Sequence, residues 1–409
     1  MNEKTSVPAR SRMTLGSVEG DLLVNSHAVV VGTGTPPILK ISGTVYCEGN
    51  NTIECNLFAD RLLANDDVTV NGNLAIAHEV KVEDGHLKVF GSITAESVDV
   101  DASVYVSRDF EVEEAEICGS LRVDGKMKGE SVDCCGSLQS RGEAEIRKLD
   151  VGGSVIIDSK ANIEELEVGG TVRVGGGKIS RVDVGGSFES TSELEFEEID
   201  VGGTVRLAGK SKGGNIEVGG ACKVEGDLEF GDIDVGGAVS ITGSAQGNKI
   251  EVGGKVNVHG SLMLSEGLEV GGKIEVDGEI SAANIEVGGV LSAQKATANE
   301  KIEVGGSLAT TAGVVAHFVE IGAHGKARGP IKADQVIIGR DADVEDIHGK
   351  EIVLHKGVNA HNVYGESVSI DSHCRIDGEV RFTRELKMSE NVSMPARPQK
   401  VDALPKEDF

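Results

Sequence analysis

Residues 250–260 read Ile-Glu-Val-Gly-Gly-Lys-Val-Asn-Val-His-Gly, and variants of this string fill the middle of the chain. Val-Gly-Gly occurs ten times between residues 151 and 306, with successive copies 16, 17 or 18 residues apart. A fixed period of this length, without helical periodicity between the copies, is typical of stacked coils of β-strand. The first glycines of the ten copies are Gly152, Gly169, Gly185, Gly202, Gly219, Gly236, Gly253, Gly271, Gly288 and Gly305.

Apolar residues recur in pairs around the valine of each copy, which we number position zero. They occupy positions −2 and 0, +4 and +6, and +10 and +12, as in Ile216/Val218, Val205/Leu207 and Leu228/Phe230. Residues two apart share one face of a strand, so each repeat contains three short strands with two inward side chains each. The sequence therefore predicts an all-β, single-stranded, triangular β-solenoid of about 17 residues per turn and about 19 turns.

Glycines lie where this fold needs corners between the strands. The Gly-Gly pair supplies one corner, because glycine adopts positive φ at little cost, and glycine is frequent at position +8, the second corner. We expect the third corner to absorb the slack of the 16- and 18-residue repeats. The predicted organisation is a flexible polar and basic segment (1–13), a solenoid (14–388) with irregular turns over 14–96 and regular turns over 97–382, and a disordered proline-bearing tail (389–409).

Composition bounds the function classes. The 409 residues carry a net charge of −27, which argues against binding to nucleic acid or to an anionic membrane surface. Seven scattered cysteines indicate reduced thiols. No stretch resembles a signal peptide or reaches the length of about 20 apolar residues that a membrane helix needs. We therefore expect a cytoplasmic protein without membrane attachment.

An acidic residue precedes position zero in fourteen consecutive turns, a set that we call the acidic ladder. Each member lies between two inward residues, so its side chain points outward. Stacked carboxylates about 4.8 Å apart repel by about 0.9 kcal/mol per pair in bulk water. The members are Asp99, Glu116, Asp133, Asp150, Glu167, Asp183, Asp200, Glu217, Asp234, Glu251, Glu269, Glu286, Glu303 and Glu320.

Two interpretations of the ladder stay open. It is a charged edge copied with the repeat, which keeps molecules soluble and apart, or a surface for divalent cations or a basic protein. No metal site with defined ligands is predicted.

Two further groups of residues carry potential chemistry. Cys118 and Cys135 share one slot in adjacent turns, within disulfide range, but small corner residues are the simpler interpretation. Six histidines lie between residues 317 and 373, and we expect them on the surface: His317, His324, His348, His355, His361 and His373. With no cofactor loop and no projecting loops to form a cleft, the sequence predicts no catalytic residue, no cofactor and no enzyme.

The repeat texture over residues from about 40 to 382 resembles the bactofilin family of polymer-forming cytoskeletal β-helix proteins. The resemblance lies in Ile-Glu-Val-Gly-Gly-x-Val-x-Val-x-Gly and in two later segments, residues 319–323 and 336–342. It implies a right-handed helix whose ends join into nucleotide-independent filaments, here in an atypically long member. The polar segment before residue 14 differs from the apolar stretch of membrane-binding members.

The predicted function is therefore structural: a cytoskeletal-type protein whose copies join end to end through their terminal turns. The expected assembly residues lie near Ile41, Val45, Ile370, Ile376 and Phe382. The alternative is a monomeric rigid rod or scaffold that binds cations or a basic partner along the acidic ladder.

Overall fold

The computed structural model describes residues 5–405, which fall into two compact units, unit 1 (Met1–Gly203) and unit 2 (Thr204–Phe409). The described chain is all-β. Residues 5–405 contain no helix long and apolar enough to cross a membrane.

Unit 1 is built from short strands. They are β1 (Thr5–Val7), β2 (Arg12–Thr14), β3 (Ser17–Val18), β4 (Leu22–Val24), β5 (Val29–Val31), β6 (Ile38–Ile41), β7 (Thr44–Cys47), β8 (Asn51–Glu54), β9 (Asn56–Ala59), β10 (Arg61–Ala64), β11 (Val68–Val70), β12 (Leu74–Ile76), β13 (Glu79–Val82), β14 (Leu87–Val89), β15 (Ile93–Val100), β16 (Val104–Val106), β17 (Phe110–Ile117), β18 (Leu121–Val123), β19 (Met127–Cys134), β20 (Leu138–Ser140), β21 (Ala144–Val151), β22 (Val155–Ile157), β23 (Ala161–Val168), β24 (Thr171–Val174), β25 (Gly177–Val184), β26 (Ser187–Ser190) and β27 (Leu194–Val201).

Unit 2 continues the same pattern. Its strands are β28 (Thr204–Ala208), β29 (Ser211–Val218), β30 (Ala221–Glu225), β31 (Leu228–Glu229), β32 (Asp232–Val235), β33 (Ala238–Ile241), β34 (Ala245–Gly247), β35 (Lys249–Val252), β36 (Lys255–Val258), β37 (Leu262–Leu264), β38 (Gly267–Val270), β39 (Lys273–Val276), β40 (Glu279–Val287), β41 (Val290–Ala293), β42 (Lys295–Val304), β43 (Ser307–Thr310), β44 (Val314–Ile321), β45 (Lys326–Arg328), β46 (Ile331–Ile338), β47 (Asp343–Val344), β48 (Ile347–Leu354), β49 (Asn359–Ala360), β50 (Val363–Ile370), β51 (Arg375–Ile376), β52 (Val380–Met388) and β53 (Gln399–Lys400).

Strands pair in parallel with the equivalent strands one turn away. In unit 1, Val151 faces Val168 across β21 and β23, and in unit 2 Val287 faces Val304 across β40 and β42. This pattern confirms the predicted β-solenoid and its spacing of roughly 17 residues. The units together hold about 23 turns, more than the predicted 19, because pairing extends further toward both termini.

The core of each unit consists of the three pairs of inward columns that the repeat predicts. After Val151 in unit 1, the side chains at positions +4, +6, +10 and +12 are Val155, Ile157, Ala161 and Ile163, and all are almost completely buried. Intervening residues point outward, as period-two alternation requires. In the eight-residue strands such as β23 the alternation shifts by one residue at the middle, with Ala161 and Ile163 buried and then Leu166 and Val168, so each strand carries two inward pairs.

The predicted domain boundaries need correction at both ends. Residues 1–4 lie outside the described residues, but β1 and β2 of the segment expected to be flexible pair with β4 and β5. At the other end, β53 pairs with Arg381 and Phe382, so part of the expected disordered tail adds to the last turn. Before residue 97 the number of residues per turn varies. Leu22 faces Val45, 23 residues away, whereas Thr5 faces Leu22, 17 residues away.

The Val-Gly-Gly corner needs glycine for a different reason from the one expected. Gly253 and Gly254 have no left-handed φ. A Cβ on Gly254 would instead lie 2.2 Å from the carbonyl oxygen of Gly237 in the turn before. The close stacking of backbone on backbone therefore excludes side chains here. Left-handed φ occurs at the second corner, for example at Gly209 (74°) and Gly226 (134°).

The 16- and 18-residue repeats depart from the 17-residue length at different corners. In the 16-residue repeat the second corner is shortened: Gly177 takes the place opposite Ala161, with φ of 117°. In the 18-residue repeat the extra residue lies in the third corner, between Leu264 and Leu268. The expectation that the third corner absorbs all of the slack is therefore wrong for the shorter repeat, because glycine allows the second corner to tighten.

We expect Gly254→Ala to destabilise unit 2 by about 1–3 kcal/mol, because the new methyl group meets a backbone oxygen that cannot move alone. Gly267→Ala is the matched control, since its Cβ would meet only the Lys249 side chain, at 3.9 Å. We expect that control to be neutral or slightly stabilising. Urea denaturation of the two variants measures the difference, and equal midpoints would contradict the stacking explanation.

Candidate functional site

The acidic ladder lies on the outward side of the face that carries positions −2 and 0, which we call face 1. In unit 1, neighbouring members face each other in register from Asp99–Glu116 to Asp183–Asp200. In unit 2 the register runs from Glu217–Asp234 to Glu303–Glu320. Each unit therefore carries a line of seven carboxylates at the spacing of neighbouring strands, about 4.8 Å.

The ladder ends where the residue type changes. Asp99 faces Lys81 on the preceding turn, with their charged groups 3.6 Å apart. Glu320 faces Ile337 on the following turn. The line of unit 1 therefore begins beside a cation, and the line of unit 2 ends beside an apolar residue.

Lysines two residues before a ladder position reduce the repulsion between neighbouring members. In unit 2, Lys301 lies 2.6 Å from Glu286 and 3.4 Å from Glu303, so it bridges two turns. Lys249 likewise contacts Glu251 and lies 3.5 Å from Glu269. In each case the hydrogen bond to the nearer carboxylate is the main cause that raises the lysine pKa.

These lysines are the part of the site that sequence reasoning missed. The signal was present, because Lys148, Lys249 and Lys301 all stand two residues before a ladder member. Lys148 lies 3.6 Å from Glu167 in the following turn. The repulsion expected for an uninterrupted column of carboxylates therefore overstates the cost.

Other ladder members have no cationic partner among the described residues. Within residues 5–405, eight carboxylates have no lysine, arginine or histidine nitrogen within 4.0 Å: Glu116, Asp133, Asp150, Asp183, Asp200, Glu217, Asp234 and Glu320. The two interpretations of the ladder, solubility and binding, both stay predictions.

A shallow groove of about 590 Å³ follows the ladder in unit 2. Carboxylates from Asp234 to Glu320 line it together with the glycine corners from Gly253 to Gly322. The corner glycines Gly253, Gly271, Gly288 and Gly305 are exposed, so the groove has backbone along its floor and carboxylates along its wall. In the described part of the chain, no three Cys, His, Asp or Glu side chains are grouped to hold a metal ion.

The residues predicted for assembly do not lie on an exposed end. Val45 in β7 has paired turns on both sides, β4 and β10, and Ile41 is buried in the adjacent β6. These two residues belong to the interior because the coil begins with β1. At the other end, Met388 covers Ile370, Ser393 pairs beside Ile376, and Lys400 covers Phe382. The predicted assembly turns therefore each carry a further paired segment. Of these segments, β4 and Met388 lie within the predicted solenoid, whereas Ser393 and Lys400 lie in the predicted tail.

Five of the six clustered histidines are exposed, as expected, and His348 is the exception. His348 is 7% exposed, although it occupies an outward position of β48. Its ring centroid lies 4.7 Å from that of Tyr364, which faces it in β50. The Tyr364 hydroxyl donates a hydrogen bond of 2.7 Å to Glu379, and burial together with this bond raises the pKa of Tyr364 to about 12. The prediction of a surface position is therefore wrong for His348, since it is buried and the Tyr364 ring of the following turn packs against it.

Comparison with known proteins does not assign this chain to a family. No family model, curated protein or solved structure matches the chain. The resemblance to bactofilins, which lies in the repeat texture, stays a prediction.

Proposed function

We propose that this chain is a structural protein that assembles with copies of itself through its first and last turns. The observation that supports this best is that each unit has, among its described residues, a strand edge that pairs on one side only. Among the described residues, β1 pairs with β4 alone, and Glu385–Met388 of β52 pairs with β50 alone.

The two open edges match in register. Val7 lies above the column of position-zero residues that passes through Val24, Cys47 and Val82 to Val100. Met388 continues the position-zero column of unit 2 from Leu354 through Ile370. An incoming β1 therefore extends the parallel ladder of β52 with inward residues facing inward.

The physical driving force has two parts. An open edge exposes backbone N–H and C=O groups, which strand addition satisfies. The last turn also leaves apolar surface in water: Met388 is 47% exposed, although it stands in line with the buried Ile370. Leu386 stands in line with the buried Val368. A second copy seated on this turn covers both side chains.

Light scattering and negative-stain electron microscopy of the purified chain, in physiological salt without nucleotide, test the proposal. We expect assemblies of many copies from the full chain and single molecules from the double variant Leu386→Lys and Met388→Lys. Met263→Lys is the matched control, since Met263 is 50% exposed on an outward position away from the ends. Single molecules from all three proteins would contradict the proposal and favour the alternative function, binding along the acidic ladder.

A further inference from the structure

Cys118 and Cys135 are the two exposed cysteines, and the other five are buried. Each directly follows a strand on face 1: Cys118 follows β17 and Cys135 follows β19. Their backbone nitrogens make the same bond to the turn before, Cys118 to the Val100 oxygen and Cys135 to the Ile117 oxygen, both at 3.0 Å. The two residues therefore occupy equivalent corner positions in consecutive turns.

This stacking brings the two thiols together. Ile117 faces Cys134 across β17 and β19, so the next residues along, Cys118 and Cys135, are also neighbours. Strand spacing places their Cα atoms about 4.8 Å apart, inside the range of roughly 4.4–6.8 Å that disulfides need. Partial desolvation by its neighbours raises the pKa of Cys118, and the adjacent Cys135 raises it further through charge and a side-chain hydrogen bond.

The neighbourhood leaves this pair open to small reagents. The next residue in the column is Gly152, whose missing Cβ would lie 2.5 Å from the Cys135 oxygen, so no side chain covers the pair from that turn. Cys134, although adjacent in sequence, is buried, and its thiol lies 3.3 Å from the Gly119 oxygen. Alternation along the strand therefore separates Cys134 from the exposed pair.

We propose that Cys118 and Cys135 form a surface dithiol site that a two-electron oxidant converts into a disulfide between consecutive turns of unit 1. With a peroxide, one thiolate attacks an oxygen and becomes a sulfenic acid, releasing water or an alcohol. The second thiol then attacks that sulfur, forms the S–S bond and releases water. With a small-molecule disulfide, two exchange steps give the same bond and two reduced small thiols.

The bond would tie two turns at the one place where their corners carry reactive side chains. Opening of a corner in a β-solenoid requires a turn to separate from its neighbour, and a covalent link across the turns opposes that motion. We therefore expect slower amide hydrogen exchange at Cys118 and Cys135 in the oxidised protein, with no change in unit 2.

Oxidised glutathione and hydrogen peroxide, each added to the native full chain, test the proposal. Mass spectrometry of the product should show the loss of two hydrogens, and titration with Ellman's reagent should show two accessible thiols lost per chain. Dithiothreitol should restore both. Arg122, Lys126 and Lys128 lie between the cysteines, so trypsin leaves two peptides joined by the new bond.

Variants identify the sulfurs involved. Cys118→Ser and Cys135→Ser should each lose the bond and give a glutathione adduct on the remaining exposed thiol. Cys134→Ala distinguishes the neighbouring thiol and should still form the bond, and Cys222→Ser, which changes a buried thiol in unit 2, should behave as the parent. Two glutathione adducts on the parent chain, a bond that requires Cys134, or disulfide-linked dimers in place of the internal bond would each overturn the proposal.

Discussion

Replacing Phe110 by alanine is expected to lower the free energy of unfolding by about 3–5 kcal/mol, because a large buried ring leaves a cavity in a narrow core. Phe110 is 1% exposed and stands in the inward column between Ile93 and Met127 of the turns on either side. Each turn of a solenoid packs only against its neighbours, so the cavity weakens two interfaces at once.

Phe90→Ala supplies the matched control for this variant. Phe90 is a phenylalanine of the same unit, but it is 53% exposed. Its ring contacts the Tyr105 ring edge-on, with 5.8 Å between the two centroids. We expect this change to cost less than about 1 kcal/mol. Urea denaturation and hydrogen exchange of the amides in β15–β19 measure both effects, and similar losses in the two variants would show that the inward column does not carry the stability.

Deleting residues 389–409 is expected to lower the critical concentration for assembly by about tenfold, which corresponds to about 1.4 kcal/mol. The tail occupies backbone groups of the last complete turn: Ser393 N donates to the Cys374 oxygen at 2.9 Å, and Ile376 N donates to the Ser393 oxygen at 2.8 Å. Val401 N donates to the Phe382 oxygen at 2.9 Å. Deletion frees these groups for an incoming copy, and each hydrogen bond is worth about 0.5–1.5 kcal/mol.

The prolines of the tail explain why, among the described residues, it pairs with the last turn only through the two residues of β53 and a bridge at Ser393. Pro395 and Pro398 interrupt the last partial turn and supply no N–H, which is how natural edge strands avoid pairing. The double variant Pro395→Ala and Pro398→Ala restores both donors and should lower the critical concentration in the same direction. Sedimentation over a concentration series measures the critical concentration of each protein. A truncated chain that assembles less readily than the parent would contradict the prediction and show that the tail takes part in the contact.

The acidic ladder shows which features of the site follow from the repeat pattern alone. An acidic residue between two buried ones must point outward, so the register within each unit follows from alternation. The bridging role of Lys301 does not follow in the same way, since it depends on which carboxylate of the adjacent turn its long side chain reaches. Side-chain pairing across turns is a property of the stacked coil, whereas outward orientation is a property of one strand.

The ends of the solenoid show what the repeat pattern does not predict. The repeat weakens where its glycines and its constant spacing are lost, so the sequence placed the terminal assembly turn near Ile41 and assigned residues 1–13, which include β1, to a flexible segment. β1 needs only its own inward residues and the free backbone edge of β4 to pair. This pairing does not require the Val-Gly-Gly string. The chain of residues 389–401 was likewise assigned to a tail because its prolines are unfavourable in a strand, although single backbone hydrogen bonds still hold it against the last turn.

The sequence by itself determined the parallel coil, its period, its inward columns and the outward line of acidic residues, because all of these depend on local alternation repeated many times. Only the tertiary structure decided why the corner glycines are required, which carboxylates the lysines contact, that the corner shared by Cys118 and Cys135 is exposed, and how far strand pairing extends. Each of these depends on contacts between residues of different turns. Such contacts arise from the stacking of backbone on backbone at about 4.8 Å, which leaves no trace in any single repeat.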